Sequence, residues 1–200
     1  MEYSYMAHVK IHRCFPTTIY QFDYISSDKM MMESYIRQVR KNHKYHTDDD
    51  LHILSYFMNL RRKVEEVSEH YLNDLEYEYE SLEITGMWAN KLFEGDSHPP
   101  HTHSNNVLSG VYYLTASDKT TPIQFFDPRV QAHVLKPRNK TNWNNASMLQ
   151  FDSIEGRGFI FPSWLQHWVP PTGDERISIS WNILVRGEYG EPNTLQNANI

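Results

Sequence analysis

Three of the eleven histidines, His98, His101 and His103, fall within six positions of the stretch HPPHTHSNNVLSGVYY, residues 98–113. His101 and His103 are two apart, and in an extended strand side chains two apart point to the same side. Two imidazoles close together on one side are half of a metal site. A third lies far downstream, His167, in the apolar, strand-like run RGFIFPSWLQHWVPP. A nitrogen-rich site with open positions suits Fe(II), although Zn, Ni and Cu also bind such imidazoles. The blander alternative is that His98, His101 and His103 decorate a polar loop. Pro99 and Pro100 stiffen that segment more than decoration needs. His98 is the weakest ligand candidate of the three and fits the mouth of a cavity instead.

Nine residues past His167, Arg176 opens RISISWNILV. Read as a strand, this places Arg176, Ser178, Ser180 and Asn182 on one face and Ile177, Ile179, Trp181 and Ile183 on the other. The polar face either meets solvent, as in a half-exposed antiparallel strand, or lines a cavity holding a polar ligand. An exposed strand would more often show Lys, Glu and Thr. Tyr112 and Tyr113 alternate across their strand, so one of them faces such a cavity. Trp88 and Asn90 share a face and are further lining candidates. Asp127-Pro128-Arg129 is a turn in which a local ion pair is the simplest use of Arg129. The polar loop 135–145, with Lys136, Arg138 and Lys140, reads as a lid or as a solvated hairpin tip.

The order of these pieces resembles the iron(II) and 2-oxoglutarate-dependent oxygenases. It is most similar to a branch in bacterial and phage genomes with HxH leading into SGVYY, a DPR turn, FPSWLxHxVxP and RxSxSxN. Here these are His101-Thr102-His103, Ser109 to Tyr113, Asp127-Pro128-Arg129, Phe161 to Pro170 and Arg176 to Asn182. The likeness spans roughly residues 84–185, and as an ordered set it is specific where any one piece is weak. It implies Fe(II) held by His101, His103 and His167, with 2-oxoglutarate as cosubstrate and O₂ as oxidant. Arg176 would fork onto the distal carboxylate of 2-oxoglutarate, Ser178 would add a hydrogen bond, and Tyr112 and Asn182 would complete the cosubstrate pocket. The implied reaction hydroxylates an unidentified substrate with formation of succinate and CO₂. One departure matters, because most of the superfamily has a carboxylate where this chain has His103. Two other readings are kept, a cupin-like three-His dioxygenase that needs no 2-oxoglutarate and a non-catalytic jelly-roll binding or virion-associated protein. Arg176 and Ser178 favour the first reading over the second.

These residues need elements to position them. From about Tyr79 the apolar period is two, and short runs at 107–115, 122–126, 130–135, 147–151, 158–161, 166–169 and 176–185 read as strands. Many short strands without helices between them indicate a sandwich or barrel. With a ligand pair and a distal ligand, the fold expected is mainly β, a double-stranded β-helix (jelly roll) with bracing N-terminal helices. A leading strand near residues 19–22 is expected at a sheet border. One helix follows Ser26-Ser27-Asp28, and a longer one over 50–75 has Asp48, Asp49 and Asp50 at its start. His8 and His12 read as surface or sheet residues, and His43 and His46 as solvated residues of a polar loop. The chain is expected to be a single domain over 1–200, with strand and helices in 1–80, the core in 81–186 and a flexible polar tail in 187–200.

With 200 residues, 40% hydrophobic and 22% charged, the chain suits one globular core. A net charge of −6 disfavours a general nucleic-acid binder. A single cysteine, Cys14, excludes an internal disulfide. No run approaches the ~18 apolar residues of a membrane span, and MEYSYMAHVK lacks a signal-peptide core. A cytoplasmic protein, or one acting in a host cytoplasm if phage-encoded, is expected. The partners expected are the small cosubstrate and an unidentified primary substrate, with a homodimer left open.

Overall fold

The computed structural model describes residues 10, 12, 14–39, 46–129, 134, 135, 138 and 141–200. The expectations for His8, His43, Lys136, Lys140 and most of a strand at 130–135 lie outside these residues. Two antiparallel sheets carry the fold. The larger contains, in spatial order, β1 (Tyr20–Asp23), β7 (Arg157–Pro162), β4 (Leu108–Thr115), β9 (Arg176–Arg186) and β2 (Ser81–Leu92). The smaller has the order β3 (His98–His101), β8 (His167–Val169), β5 (Ile123–Phe126), β6 (Met148–Phe151). The mainly β jelly roll expected from the strand spacing is the fold observed, and the leading strand β1 is indeed a border strand.

The larger sheet is buried on both faces. Its outer face offers Leu108, Tyr112 and Leu114 of β4 with Ile177, Ile179, Trp181 and Ile183 of β9. Against them pack Met32 and Ile36 of helix α1 (Lys29–Gln38) and Leu60, Val64, Tyr71 and Leu72 of helix α2 (Met58–Asp74). The apolar stripe of α2 thus faces the sheet, and Leu75, just past the helix end, is exposed. Trp181 lies flat over Gly110, where an added Cβ would come within 2.3 Å of the indole, so β4 needs glycine there. The inner face packs Val111, Tyr113, Phe159 and Phe161 against Ile123 and Phe125 of the smaller sheet.

Three expectations need correction. The helix expected over 50–75 begins as α2 only at Met58, after two 3₁₀ turns, Leu51–Ile53 and Ser55–Phe57. Residues 46–50 instead run along the free edge of β2. Thr47 N–H donates to Ala89 O (3.0 Å), and Met87 N–H donates to Asp49 O (2.8 Å). Covering an edge strand satisfies backbone groups that a helix start would leave unpaired. Second, residues 188–199 are not a free tail, because Glu188–Tyr189 pairs with Ala198–Asn199. Third, His46 is half-buried rather than solvated, since its bridge to Asn90 places it beside β2. No helix among the described residues is long and apolar enough to cross a membrane.

Candidate active site

The strands that meet between the two sheets enclose a cavity of about 470 Å³. His98, His101, His103 and His167 line it from the smaller sheet and the segment after β3. Arg176, Ser178 and Ser180 line it from β9, with Trp88 and Asn90 from β2. His101 and His167 are direct partners in the β3–β8 register, and their ring centroids are 4.3 Å apart. The His103 backbone N–H is tied to Ser163 O (2.9 Å), and its ring stacks nearly parallel to that of His167 at 5.3 Å. One potential ligand atom from each of His101, His103 and His167 lies within 4.8 Å of the others. The sequence spacing thus identified the three residues that the fold brings together.

Hydrogen bonding defines which nitrogens are available. Nδ1 of His101 lies 2.8 Å from Pro99 O, and Nδ1 of His167 lies 2.9 Å from Leu165 O. A carbonyl only accepts, so each Nδ1 carries the proton and each Nε2 keeps its lone pair. This is the arrangement metal-bound histidines use, with a backbone carbonyl fixing ring and tautomer. Burial reinforces it. His167 sits against Phe161 (4.8 Å) and Phe125 (5.7 Å), and desolvation pushes its pKa down to about 3. Burial, then the neighbouring His101, brings His103 down to about 4. Burial also lowers His101, with the Pro99 carbonyl acting the other way. The rings are therefore neutral at pH 7, the form that binds a metal. Desolvation also moves proton competition below the ~6.5 of a free imidazole.

Arg176 lines the same cavity from the first residue of β9. Arg176 is 3% exposed, its Nη1 donates to Ser178 Oγ (2.9 Å), and its guanidinium lies 4.8 Å over the Tyr113 ring. Its Nε is buried without a hydrogen-bond partner. Among the described residues no carboxylate pairs with it. Ser180 Oγ accepts from Asn90 Nδ2 (3.1 Å), which ties the middle of β9 to β2.

Two expected cosubstrate residues do not line this cavity. Tyr112 faces the helices, where its hydroxyl donates to Tyr24 O (2.9 Å). Tyr113 is the inward member of the pair, with its hydroxyl buried and without a partner. Both faces of β4 are buried, so alternation alone did not identify the inner one. Asn182 shares the Arg176 face, but its Oδ1 accepts from Ser109 Oγ (2.8 Å). Ser109 has one proton to give, so Ser163, 2.8 Å away, donates to Ser109. That chain of three side chains braces β4 against β9. Arg129 makes the local ion pair with Asp127 (2.9 Å).

Residues 86–182 match the model of a family described as "Putative 2OG-Fe(II) oxygenase". No curated protein matches the sequence. Similar solved structures include a prolyl-4-hydroxylase from Pseudomonas putida, with TM-score 0.60 and 13% identity over 86% of this chain and 89% of that one. A prolyl hydroxylase from Trichoplax adhaerens, in complex with a hypoxia inducible factor oxygen degradation domain peptide fragment, gives 0.57 and 15% over 84% and 83%. HygX from Streptomyces hygroscopicus, with nickel and 2-oxoglutarate bound, gives 0.57 and 10% over 84% and 82%. The matched segment runs through the strands that bear all three imidazoles and Arg176, so this part of the chain is that of an iron(II)/2-oxoglutarate-dependent oxygenase, a dioxygenase by class, and the similar structures share its jelly-roll fold.

Proposed function

We propose that the protein hydroxylates its substrate in a 2-oxoglutarate-dependent reaction that forms succinate and CO₂. The observation that carries this reading is Arg176, a buried guanidinium that lines the same cavity as the three imidazoles. A buried cation with only a serine hydroxyl and an aromatic face for company calls for an anion. A dicarboxylate supplies one carboxylate for Arg176 and leaves its 2-oxo acid group for the metal.

In this reading His101 and His167 hold iron through Nε2, and His103 holds it through one ring nitrogen. When bound, ferrous iron with O₂ supplies the oxidising chemistry, and the cosubstrate supplies two electrons as it loses CO₂. Arg176 and Ser178 grip the distal carboxylate in a forked, charge-assisted arrangement. Val111, Ile123 and Phe161 make the walls that exclude water. Three neutral imidazoles leave the metal more positive than a site with a carboxylate ligand, which strengthens its pull on an anionic chelator. Similar structures hold 2-oxoglutarate in one case and a peptide in another. The architecture is thus compatible with this cosubstrate and with substrates as large as a peptide.

Anaerobic addition of Fe(II) and 2-oxoglutarate should give a weak visible charge-transfer band, and admission of O₂ should then yield succinate. Tight metal binding with no band and no succinate would favour a three-His dioxygenase that works without 2-oxoglutarate.

A further inference from the structure

Beyond the three-His cluster, His46 and His98 also line the cavity, and of these His98 lies on β3 beside the cluster without a role in it. It precedes His101 by three residues, and in a regular strand residues three apart point to opposite faces. Here both point inward. His98 pairs with Val169 and His101 with His167, so three steps on β3 match two on β8, and the extra residue is a bulge over Pro99-Pro100. Bulges re-aim side chains, and the prolines have no N–H for the ladder to lose. The His98 ring centroid ends 4.4 Å from that of His101. Its Nδ1 is buried without a hydrogen-bond partner.

The register also places His98 along the cavity. Val169 is two residues beyond His167, which moves His98 roughly 7 Å further along β8 than His101. That direction leads to the turn that enters β9 at Arg176. Of His98, His101, His103 and His167, only His98 has its proton affinity lowered in part by the Arg176 charge, behind burial and His101 and with the Pro99 carbonyl acting the other way. His98 therefore lines the same cavity as the three imidazoles and Arg176, its ring beside His101 and within the electrostatic reach of the guanidinium.

We infer that His98 is a second anchor for the dicarboxylate cosubstrate, donating a hydrogen bond from Nδ1 to a carboxylate oxygen while Arg176 supplies the charge. This rests on the proposed use of 2-oxoglutarate. A neutral donor there adds orientation without a second buried charge. It also gives Nδ1 the partner that a buried polar atom requires.

The test compares His98→Asn with His98→Phe. Asparagine keeps a donor near the Nδ1 position and loses the ring, whereas phenylalanine keeps the ring and loses the donor. Binding of Mn(II) alone, and then of 2-oxoglutarate to the Mn(II) protein without O₂, is measured by calorimetry, with Arg176→Met as reference. Mn(II) affinity should be unchanged in both variants. 2-Oxoglutarate affinity should fall about 10-fold in His98→Phe and no more than about 3-fold in His98→Asn. Equal losses in the two variants, or none in His98→Phe, would overturn the inference. So would a loss of Mn(II) affinity, which would make His98 a ligand. If wild type and Arg176→Met both fail to bind 2-oxoglutarate, the proposed function itself fails and the inference falls with it.

Discussion

The two sheets divide the work. The larger one is clamped between two helices and the cavity, and its outer face is continuous apolar core from Leu108 to Ile183. The smaller one has strands of three or four residues, and its cluster is a few aromatic and aliphatic side chains. Yet the smaller sheet and the segment after β3 hold all three metal-ligand candidates, while the larger contributes the buried Arg176 and Ser178. Short strands suffice for the metal end because backbone carbonyls of the same segments, at Pro99 and Leu165, orient the rings. Arg176, by contrast, opens the long strand β9 and is 3% exposed.

This contrast is broken most forcefully at Trp181. Trp181→Ala should cost about 3–5 kcal/mol, read as a lowered denaturant midpoint, since it empties the fully buried heart of the larger sheet. His167→Ala is the mirror experiment. It should weaken metal binding more than ~100-fold, beyond the loss typical of an outer-shell partner, while costing only about 1–2 kcal/mol of stability. Equilibrium dialysis with Mn(II) checks the first effect and urea unfolding the second. If both variants act mainly on stability, the division between the sheets fails.

Arg176→Met sits between the two, a core position with a cavity function. 2-Oxoglutarate affinity should fall at least ~10-fold, since a charge-assisted pair in a buried site is worth about 1.5–3 kcal/mol. Metal affinity should hold, and titration calorimetry separates the two.

The metal-free protein should also respond to pH through its histidines. Burial holds His98 and His103 at about 4 and His167 at about 3 in the folded state. An unfolded imidazole titrates near 6.5. The unfolded chain therefore takes up protons first as pH falls. Stability is fully present above about 6.5 and is lost progressively down to about 3–4. Urea midpoints between pH 7.5 and 5 should fall in wild type and fall less steeply in His98→Phe. Identical slopes would show that His98 titrates in the folded state as it does in the unfolded one. The smallest effect expected is that of Tyr112→Phe. It should cost about 1 kcal/mol through the lost bond to Tyr24 and leave 2-oxoglutarate affinity unchanged.

Much of the site was legible from spacing. His101 and His103 at two residues, a distal His167 and the alternating Arg176–Ser178 face are strand patterns, and strand geometry is local. Three things were not. Tyr112 and Tyr113 point to opposite faces of β4 and both enter buried surroundings, so alternation carried no signal about which faces the cavity. Asn182 sits on the correct face, but Ser109, distant in sequence, occupies its oxygen. His46 was placed on the surface because nothing local announces that residues 46–50 cover the edge of β2.

The sequence by itself determined the class of the fold, the three imidazoles and the polar Arg176–Ser178 face, because side-chain period and residue chemistry are properties of short stretches. Only the tertiary structure decided which buried face is core and which is cavity. It alone aimed His98 inward, because a bulge is a mismatch between two strands, β3 and β8, and neither strand records it alone.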